Sequence, residues 1–357
     1  MFLYCYEYHE EYIIHTYSPL GVVAYDLQFF LQYMVSSERL ITIADLNESL
    51  KSAPLSKRDS ANRPKNFKIR KANSKYEGNA GSLRILSRIL PVILSEQIST
   101  SQVGEAILKL EELCQLVTAP QLTVFEVENI MHFTIIEYLD LRRNLIEEIH
   151  APVLKPKHYF MSHYAHLYLE NGPLIQLWAM RMESKHVFFK GCIRTAKNFK
   201  NVCKTCSVRH QRAQLSLYYR GLFPKKIDVP DQSAYCDTLP AGMNFSPNSL
   251  SPAFVKVWGT KYEPGMLVVP QVLSYGILKV GLIKALIVDG SKVYFKCDCF
   301  RAELGVGGIY TTKNQLDCCV CELSCLADHK PLKRLGSLTD FSFVLHHFIS
   351  EASNILQ

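Results

Sequence analysis

The sequence lacks any apolar run long enough to cross a bilayer. Its most apolar early stretch, residues 21–35, contains Asp26 and two glutamines, whereas a membrane-spanning helix needs about 20 mostly apolar residues. The first twelve residues, MFLYCYEYHEEY, contain acids but no Lys or Arg, unlike a secretory signal peptide. We therefore expect an intracellular protein with no membrane partner, whose twelve cysteines are thiols rather than disulfides.

Internal repeats and low-complexity tracts are absent as well, so hydrophobic periodicity is used to divide the chain. Residues 1–150 show apolar side chains at helical spacing, as at Val22, Leu27 and Leu31, and predict a helical bundle. Residues 151–227 form a new unit. Within it, PLIQLWAM (173–180) is typical of a short buried strand, and a long basic helix follows.

The last third of the chain has a different pattern. Residues 228–252 are rich in Pro, Ser and Asn and predict a linker. Residues 253–357 alternate apolar and polar positions, with Asp289-Gly290 between two apolar runs as a hairpin turn. They predict a small β domain, either a barrel or a sandwich, and the expected fold class is α+β.

A basic loop interrupts the predicted bundle at residues 53–81. It contains eight Lys or Arg against Asp59 and Glu77. The favoured interpretation is a solvated linker, and the alternative is an additional strip for contacting phosphates.

Acidic residues are absent from Ser184 through Ile227, a segment with eleven Lys and Arg. These charges exceed the net +7 of the chain by four, so the remainder is net acidic and the positive charge is clustered. An exposed helix usually mixes Glu with Lys for pairs four residues apart. Basic residues alone favour a polyanion, which makes nucleic acid the leading interpretation, ahead of a solvated basic face or contact with an acidic protein.

On a wheel of about 100° per residue, residues 183–212 predict one amphipathic helix. The apolar side chains predicted to be buried are Cys192 and those within about 40° of it, namely Phe188, Ala196, Phe199, Cys203 and Cys206. The residues predicted to contact nucleic acid are cationic side chains along this helix: Lys185, His186, Lys190, Arg194, Lys197, Lys200 and Lys204.

Glu183 is the only acid in GPLIQLWAMRMESKHVFFK (172–190). A carboxylate at a helix start stabilises the macrodipole by about 0.5 kcal/mol, which is the favoured interpretation on these residues alone. As a metal ligand it would need two further carboxylates.

The strings KPKHYFMSHY (155–164), GPLIQLWAMRMESKHVFFK and NFKN (198–201) resemble the C-terminal half of transposases encoded by animal DNA transposons of the CACTA (En/Spm) group. The family pattern is K-P-K-H-H-F, H-Y, G-P-L and then W-x-M-R-F-E-x-K-H-x-F-F-K. Met182 stands where Phe is usual. Weaker similarity covers nearly the whole chain from about residue 20.

The resemblance implies that residues 1–150 are a helical insertion and that residues 151–227 are the end of a ribonuclease-H-like core. Such transposases hold two Mg²⁺ with three acids, and Glu183 corresponds to the third. The first two should lie on strands before the insertion. The only aspartates before Glu183 are in helical patterns or the basic loop: Asp26, Asp45, Asp59 and Asp140.

One carboxylate cannot hold two Mg²⁺ ions, so Glu183 would be a vestigial catalytic residue and a metal ligand only if partner acids were supplied. We therefore expect no cofactor in this chain and no DNA cleavage by it alone. It would be a truncated or domesticated remnant, or the product of a gene whose upstream half is missing.

Two sets of side chains resemble metal ligands. Cys297, Cys299, Cys318 and Cys321 could hold zinc, although their spacing is not a recognised pair of C-x-x-C motifs. His158, His163 and His166 are better explained as histidines packed in a helix with Tyr and Phe.

The expected function is that of a transposon-derived nuclear protein that binds DNA non-specifically through helix 183–212 and is catalytically inactive. Its other partners would be an intact transposase or host proteins. A second hypothesis is a protein–protein interaction module with no nucleic-acid role. A third is a nuclease whose missing acids come from another chain.

Overall fold

The computed structural model describes residues 21–71, 75–177, 180–197, 199–220, 226–230, 234–235, 245–337 and 340–354. For residues 57, 58, 180–184, 234, 235, 352 and 354 it describes the backbone alone. The fold is α+β, as predicted. The helices precede an antiparallel sheet that curls into a half-barrel.

The helices are α1 (Val22–Ser36), α2 (Ile43–Ser52), α3 (Lys57–Ser60), α4 (Ala80–Ile93), α5 (Ser95–Thr100), α6 (Gly104–Val117), α7 (Val124–Glu126), α8 (His132–Ile149), α9 (Pro156–Met161), α10 (Tyr164–Asn171), α11 (Met180–Ala196) and α12 (Val202–Tyr219). A π-helical turn, Val127–Met131, joins α7 to α8. The helices from α1 to α10, apart from α3 and α7, contribute to one buried apolar cluster that runs from Val22 to Leu174. Helical packing therefore continues beyond residue 150.

A buried charged network fastens α1 to α8 and α9. Asp26 on α1 accepts hydrogen bonds from Tyr138 and from His158 Nε2, the latter at 2.9 Å. Its other carboxylate oxygen lies 3.2 Å from Arg142 Nη2, and the side chains of Asp26 and Arg142 are both fully buried. Burial alone would raise the pKa of Asp26, but His158 and Arg142 outweigh it and hold that pKa below its usual value. The packing interpretation of His158 is therefore confirmed.

The described parts of the basic loop, residues 53–71 and 75–81, pack against the bundle, so the interpretation as a solvated linker is wrong. Phe67 and Tyr76 are buried. Asn47 Oδ1 on α2 accepts a hydrogen bond from Phe67 N at 2.6 Å. Arg63 Nη1 donates to three carbonyls at the end of α2, at 2.8–3.1 Å. Arg63 thus satisfies carbonyls that a helix end leaves without partners.

The strands are β1 (Ile227–Asp228), β2 (Ala234–Tyr235), β3 (Leu250–Ser251), β4 (Val255–Val257), β5 (Thr260–Tyr262), β6 (Leu267–Ser274), β7 (Ile277–Asp289), β8 (Lys292–Leu304), β9 (Ile309–Gln315), β10 (Cys319–Glu322), β11 (Asp328–Leu332), β12 (Leu335–Gly336) and β13 (Phe341–Val344). The main sheet has the order β11-β6-β7-β8-β9-β13-β12. In addition, β10 pairs with β8, and β3 pairs with β7 and β2. A small sheet has the order β1-β4-β5.

The predicted Asp289-Gly290 hairpin is confirmed. Strands β7 and β8 are antiparallel with Asp289 opposite Lys292, and Gly290 has a φ of 58°, which favours glycine. The predicted linker at residues 228–252 is wrong at both ends, because β1 pairs with β4 and β3 pairs with β7. Residues 231–233 and 236–244 lie outside the described residues.

The sheet is docked onto the bundle through the β8–β9 turn and the C-terminal segment. A side chain at Gly307 would meet Pro91 at 2.7 Å, and one at Gly308 would meet Glu111 at 2.9 Å. Ser350 Oγ donates to Glu126 Oε2 at 2.5 Å. The close approach of backbone to α6 explains why two glycines with positive φ stand at this turn.

Candidate nucleic-acid interface

The basic segment forms two helices, not the one continuous helix predicted over 183–212. Helix α11 ends at Ala196, and Lys197 has a φ of 50°. Asn201 then begins α12, because its Oδ1 accepts a hydrogen bond from Lys204 N at 3.1 Å. An Asn at this position satisfies one of the free N–H groups of a helix start, which is the local reason for the break.

The two helices pack on each other as a hairpin, hereafter the basic hairpin (α11 and α12). Arg209 Nη1 on α12 donates to the carbonyl of Cys192 on α11 at 3.1 Å. The ring of His210 lies 5.8 Å from the ring centroids of both Phe188 and Phe189. Polar and aromatic contacts thus take the place of an apolar seam.

The predicted buried stripe is wrong except at Cys192, which is 8% exposed. Phe199 is 74% exposed and Phe188 40% exposed. Cys203 is also exposed, and Ala196 and Cys206 are half-buried. The stripe fails because it assumed one straight helix against the body of the protein, whereas α12 buries none of its described residues.

Every cation predicted to contact nucleic acid is exposed. These residues are Lys185, His186, Lys190, Arg194, Lys197, Lys200 and Lys204. Arg212 and Arg220 extend the exposed set along α12. Because residues 184–227 contain no Asp or Glu, every charged side chain of this segment is cationic.

The backbone of Glu183 lies in the first turn of α11, but its side chain is not among those that the structure describes. The segment predicted as a strand just before it contains a 3-10 turn, Leu174–Leu177, so that prediction is wrong; Trp178 and Ala179 are outside the described residues. In the described part of the chain the first strand begins at Ile227.

The four aspartates before Glu183 do not fit a two-metal site. Asp26 is buried against Arg142 and His158, and Asp59 lies on α3, not in a loop, paired with Arg88 at 2.5 Å. Asp140 pairs with Arg143 on the surface of α8 at 2.5 Å. Asp45 lies in the first turn of α2, beside its N-cap Thr42. Carboxylates held by arginine or used at a helix start differ from the open oxygen ligands that Mg²⁺ prefers.

The cysteines are arranged differently from the predicted set. Cys297 and Cys299 are buried on β8, and Cys319 and Cys321 on β10 pack against the same apolar cluster. Cys318 is exposed and its Sγ donates to Asp298 Oδ1 at 3.2 Å. Cys319 therefore takes the place that was predicted for Cys318. Within the described residues, no three His, Cys, Asp or Glu side chains are arranged to hold a metal ion.

Comparisons with known proteins found no relative of this chain. The chain matches no protein-family model, no curated protein and no solved structure. Separately, none of the described helices combines the length and the apolar character that a bilayer crossing requires.

Proposed function

We propose that this chain is a transposase-derived protein of the nucleus that binds DNA non-specifically through the basic hairpin. In this proposal, residues 151–227 correspond to the end of a ribonuclease-H-like core, and α11 to the helix that bears its third acid. The observation that carries the proposal is the exposure of all seven predicted contact residues in a segment without acids.

Three arginines outside the hairpin show the contrast that supports this assignment. Arg63, Arg88 and Arg142 are occupied by backbone carbonyls or carboxylates. On the basic hairpin, like charges are exposed in a segment whose sequence contains no Glu or Asp from residue 184 to residue 227. Phosphates would relieve that repulsion, and binding driven in this way falls steeply with salt concentration.

The experiment is fluorescence anisotropy on a duplex of about 30 base pairs, with salt varied from about 50 to about 300 mM. The test variant carries Lys190→Glu, Arg194→Glu and Lys197→Glu. Each lost phosphate contact should reduce the magnitude of the log–log salt slope by about 0.9, so the triple variant should lose about two to three units and bind at least about tenfold more weakly at low salt.

A matched control separates the interface from net charge. Lys51→Glu, Lys296→Glu and Lys313→Glu change the charge of the chain equally at exposed positions elsewhere. This control should keep the slope of the unaltered protein. The proposal would be contradicted if both triple variants bound DNA equally weakly, or if the unaltered protein did not bind DNA at low salt.

Inactivity is the second part of the proposal and needs its own assay. Supercoiled plasmid with Mg²⁺ should remain uncut by the purified chain, because the described aspartates are engaged in the pairs and helix start given above. Nicking that Mg²⁺ induces and Glu183→Gln abolishes would show instead that partner acids are supplied, for example by a second chain or an intact transposase.

One observation favours a protein partner as the alternative function. The basic hairpin exposes large apolar side chains as well as charge, including Phe199 at 74%, Val187 at 73% and Tyr219 at 81%. Large apolar side chains that are this exposed can serve protein contacts. In the anisotropy experiment this hypothesis predicts no DNA binding at any salt concentration, and host proteins would then be the ligands.

A further inference from the structure

Four cysteines converge on one face of the sheet. Strands β8 and β10 are antiparallel with Cys319 opposite Cys297. Residues opposite each other, and residues two apart on one strand, share a face of the sheet. Cys297, Cys299, Cys319 and Cys321 therefore lie on the same side, and all four contribute to one apolar cluster.

Two of the sulfur atoms are in contact. Cys299 Sγ lies 2.9 Å from Cys319 Sγ, whereas Cys321 Sγ donates a hydrogen bond to the carbonyl of Phe295 at 3.7 Å. A disulfide has a bond of about 2.05 Å, so Cys299 and Cys319 need to approach by only about 0.9 Å. Cys319 is the first residue of β10, where the strand joins a loop and such a shift is least restricted.

The neighbouring strand is shaped around these sulfurs. Gly281 on β7 stands opposite Cys299. A Cβ atom there would lie 2.9 Å from Cys297 Cβ and 3.0 Å from its Sγ. Gly in a strand interior weakens the strand unless close approach requires it. Its presence here makes the room that the Cys297 side chain occupies.

Reactivity differs within the cluster. The neighbouring thiols of Cys299 and Cys321 and, with a smaller effect, Lys279 lower the pKa of Cys319 to about 3. The neighbouring Cys319 and burial raise the pKa of Cys299, and the neighbouring Cys297 and Cys319 raise the pKa of Cys321. Thiolates are the nucleophiles of cysteine chemistry. Cys319 is half-buried while Cys299 is fully buried, so the more nucleophilic sulfur is also the one nearer to solvent.

We propose that Cys299 and Cys319 are a site of reversible oxidation by peroxides. The Cys319 thiolate attacks one oxygen of hydrogen peroxide. An S–O bond forms, the O–O bond breaks and hydroxide leaves, which gives a sulfenic acid. The Cys299 thiol then attacks that sulfur, so that the S–S bond forms and the S–O bond breaks. The departing hydroxide takes the thiol proton as water. Two thiols lose two electrons and one peroxide is reduced.

The disulfide would close a loop with a structural consequence. Residues between Cys299 and Cys319 include β9 and the Gly307-Gly308 turn that docks on α6 and Pro91. Oxidation would therefore constrain the element that joins the sheet to the bundle. Constraint of the unfolded chain by a disulfide stabilises the fold, and a dithiol reductant would reverse it.

The experiment treats the full-length protein with graded hydrogen peroxide and maps its peptides by mass spectrometry. The expected product is a Cys299–Cys319 cross-linked peptide that has lost two hydrogen atoms and is restored by dithiothreitol. It should appear together with a higher unfolding temperature. In Cys299→Ser, the reaction should stop at a sulfenic acid on Cys319 that dimedone captures.

Cys318→Ser is the matched control, because its thiol is adjacent in sequence but hydrogen-bonded to Asp298. This variant should form the cross-link as the unaltered protein does. At pH 6, alkylation of Cys319 should be at least about tenfold faster than that of exposed Cys203, since the thiolate is the reacting form of a cysteine. Both readouts use folded protein, as circular dichroism of each variant would verify.

Three outcomes would overturn the proposal. The first is a cross-link through Cys318 or Cys297 in place of Cys319. The second is equal alkylation rates at Cys319 and Cys203. The third is one equivalent of zinc in the purified chain, with all four thiols protected from alkylation until a chelator removes the metal. The cluster would then be a metal site.

Discussion

The basic hairpin and the bundle beside it use cationic side chains in opposite ways. In the bundle, Arg142 is fully buried against Asp26, and its guanidinium carbon lies 5.5 Å from the ring centroid of Phe30. On the hairpin, Lys190 and Arg194 are exposed in a segment without acids. Charge inside the bundle fixes one packing arrangement, whereas charge on the hairpin is available to an outside anion. The cost of misplacing a charge should therefore differ greatly between the two regions.

The largest effect is expected from Asp26→Asn. This change keeps the shape of the side chain but leaves the positive charge of Arg142 buried without a carboxylate. Breaking a buried pair on one side destabilises a protein by about 3–5 kcal/mol. Urea unfolding at pH 7 measures the loss. Since the folded-state pKa of Asp26 is lowered, its stabilisation is present above the unfolded-state value and is lost as pH falls through the folded-state value.

Asp140→Asn is the matched surface control. Asp140 pairs with Arg143 at 2.5 Å, but both side chains are more than half exposed. Exposed pairs contribute about 0–1 kcal/mol, so this variant should unfold within about 0.5 kcal/mol of the original protein. Equal losses from the two asparagine variants would show that the Asp26 network is not a buried charge pair in solution.

A smaller effect is expected at Glu111, where substitution should stabilise the protein instead of destabilising it. Its side chain is buried under the Gly307-Gly308 turn and accepts a hydrogen bond from Gln115 Nε2 at 2.6 Å. Burial raises the pKa of Glu111 from 4.5 to about 8. The folded state therefore holds a proton that the unfolded state has lost, and stability falls as pH rises from the unfolded value through the folded one.

Glu111→Gln should remove that pH dependence. At pH 5 the variant and the original should have similar stability, and near pH 8 the variant should be more stable by on the order of 2 kcal/mol. Unfolding in urea at several pH values provides the measurement. A variant that is less stable at pH 8 would indicate that Glu111 is charged in the fold, for example through the nearby Arg88 that acts to lower its pKa.

The two regions also differ in how far the sequence predicted them. Apolar periodicity predicted the helical bundle because its faces really are buried in one core, and the Asp289-Gly290 turn predicted the central hairpin of the sheet. The role of Asp26 was missed. A single acid among the apolar residues of α1 indicates a buried partner, but Arg142 and His158 lie more than a hundred residues away, and no local pattern identifies them.

The basic segment shows the limit of a helical wheel. The wheel gives the direction of each side chain on one straight helix, but not what the helix packs against. Asn201 begins a new helix, so the wheel of a single straight helix does not apply beyond this point. Phe199 is therefore exposed and not part of a buried stripe. The cations were correctly expected at the surface because long charged side chains are rarely buried without partners.

The smallest effect is expected at Phe199, and the buried Phe30 serves as its contrast. Phe30 on α1 is fully buried and Phe199 is 74% exposed. Phe30→Ala should cost about 3–5 kcal/mol because it leaves a cavity in the core. Phe199→Ala should change the unfolding free energy by less than about 0.5 kcal/mol. Guanidinium unfolding of both variants gives the comparison. A loss above 1 kcal/mol at Phe199, growing with protein concentration, would mean that the hairpin is covered by a second copy of the chain, because a partner that binds only the folded state links stability to concentration.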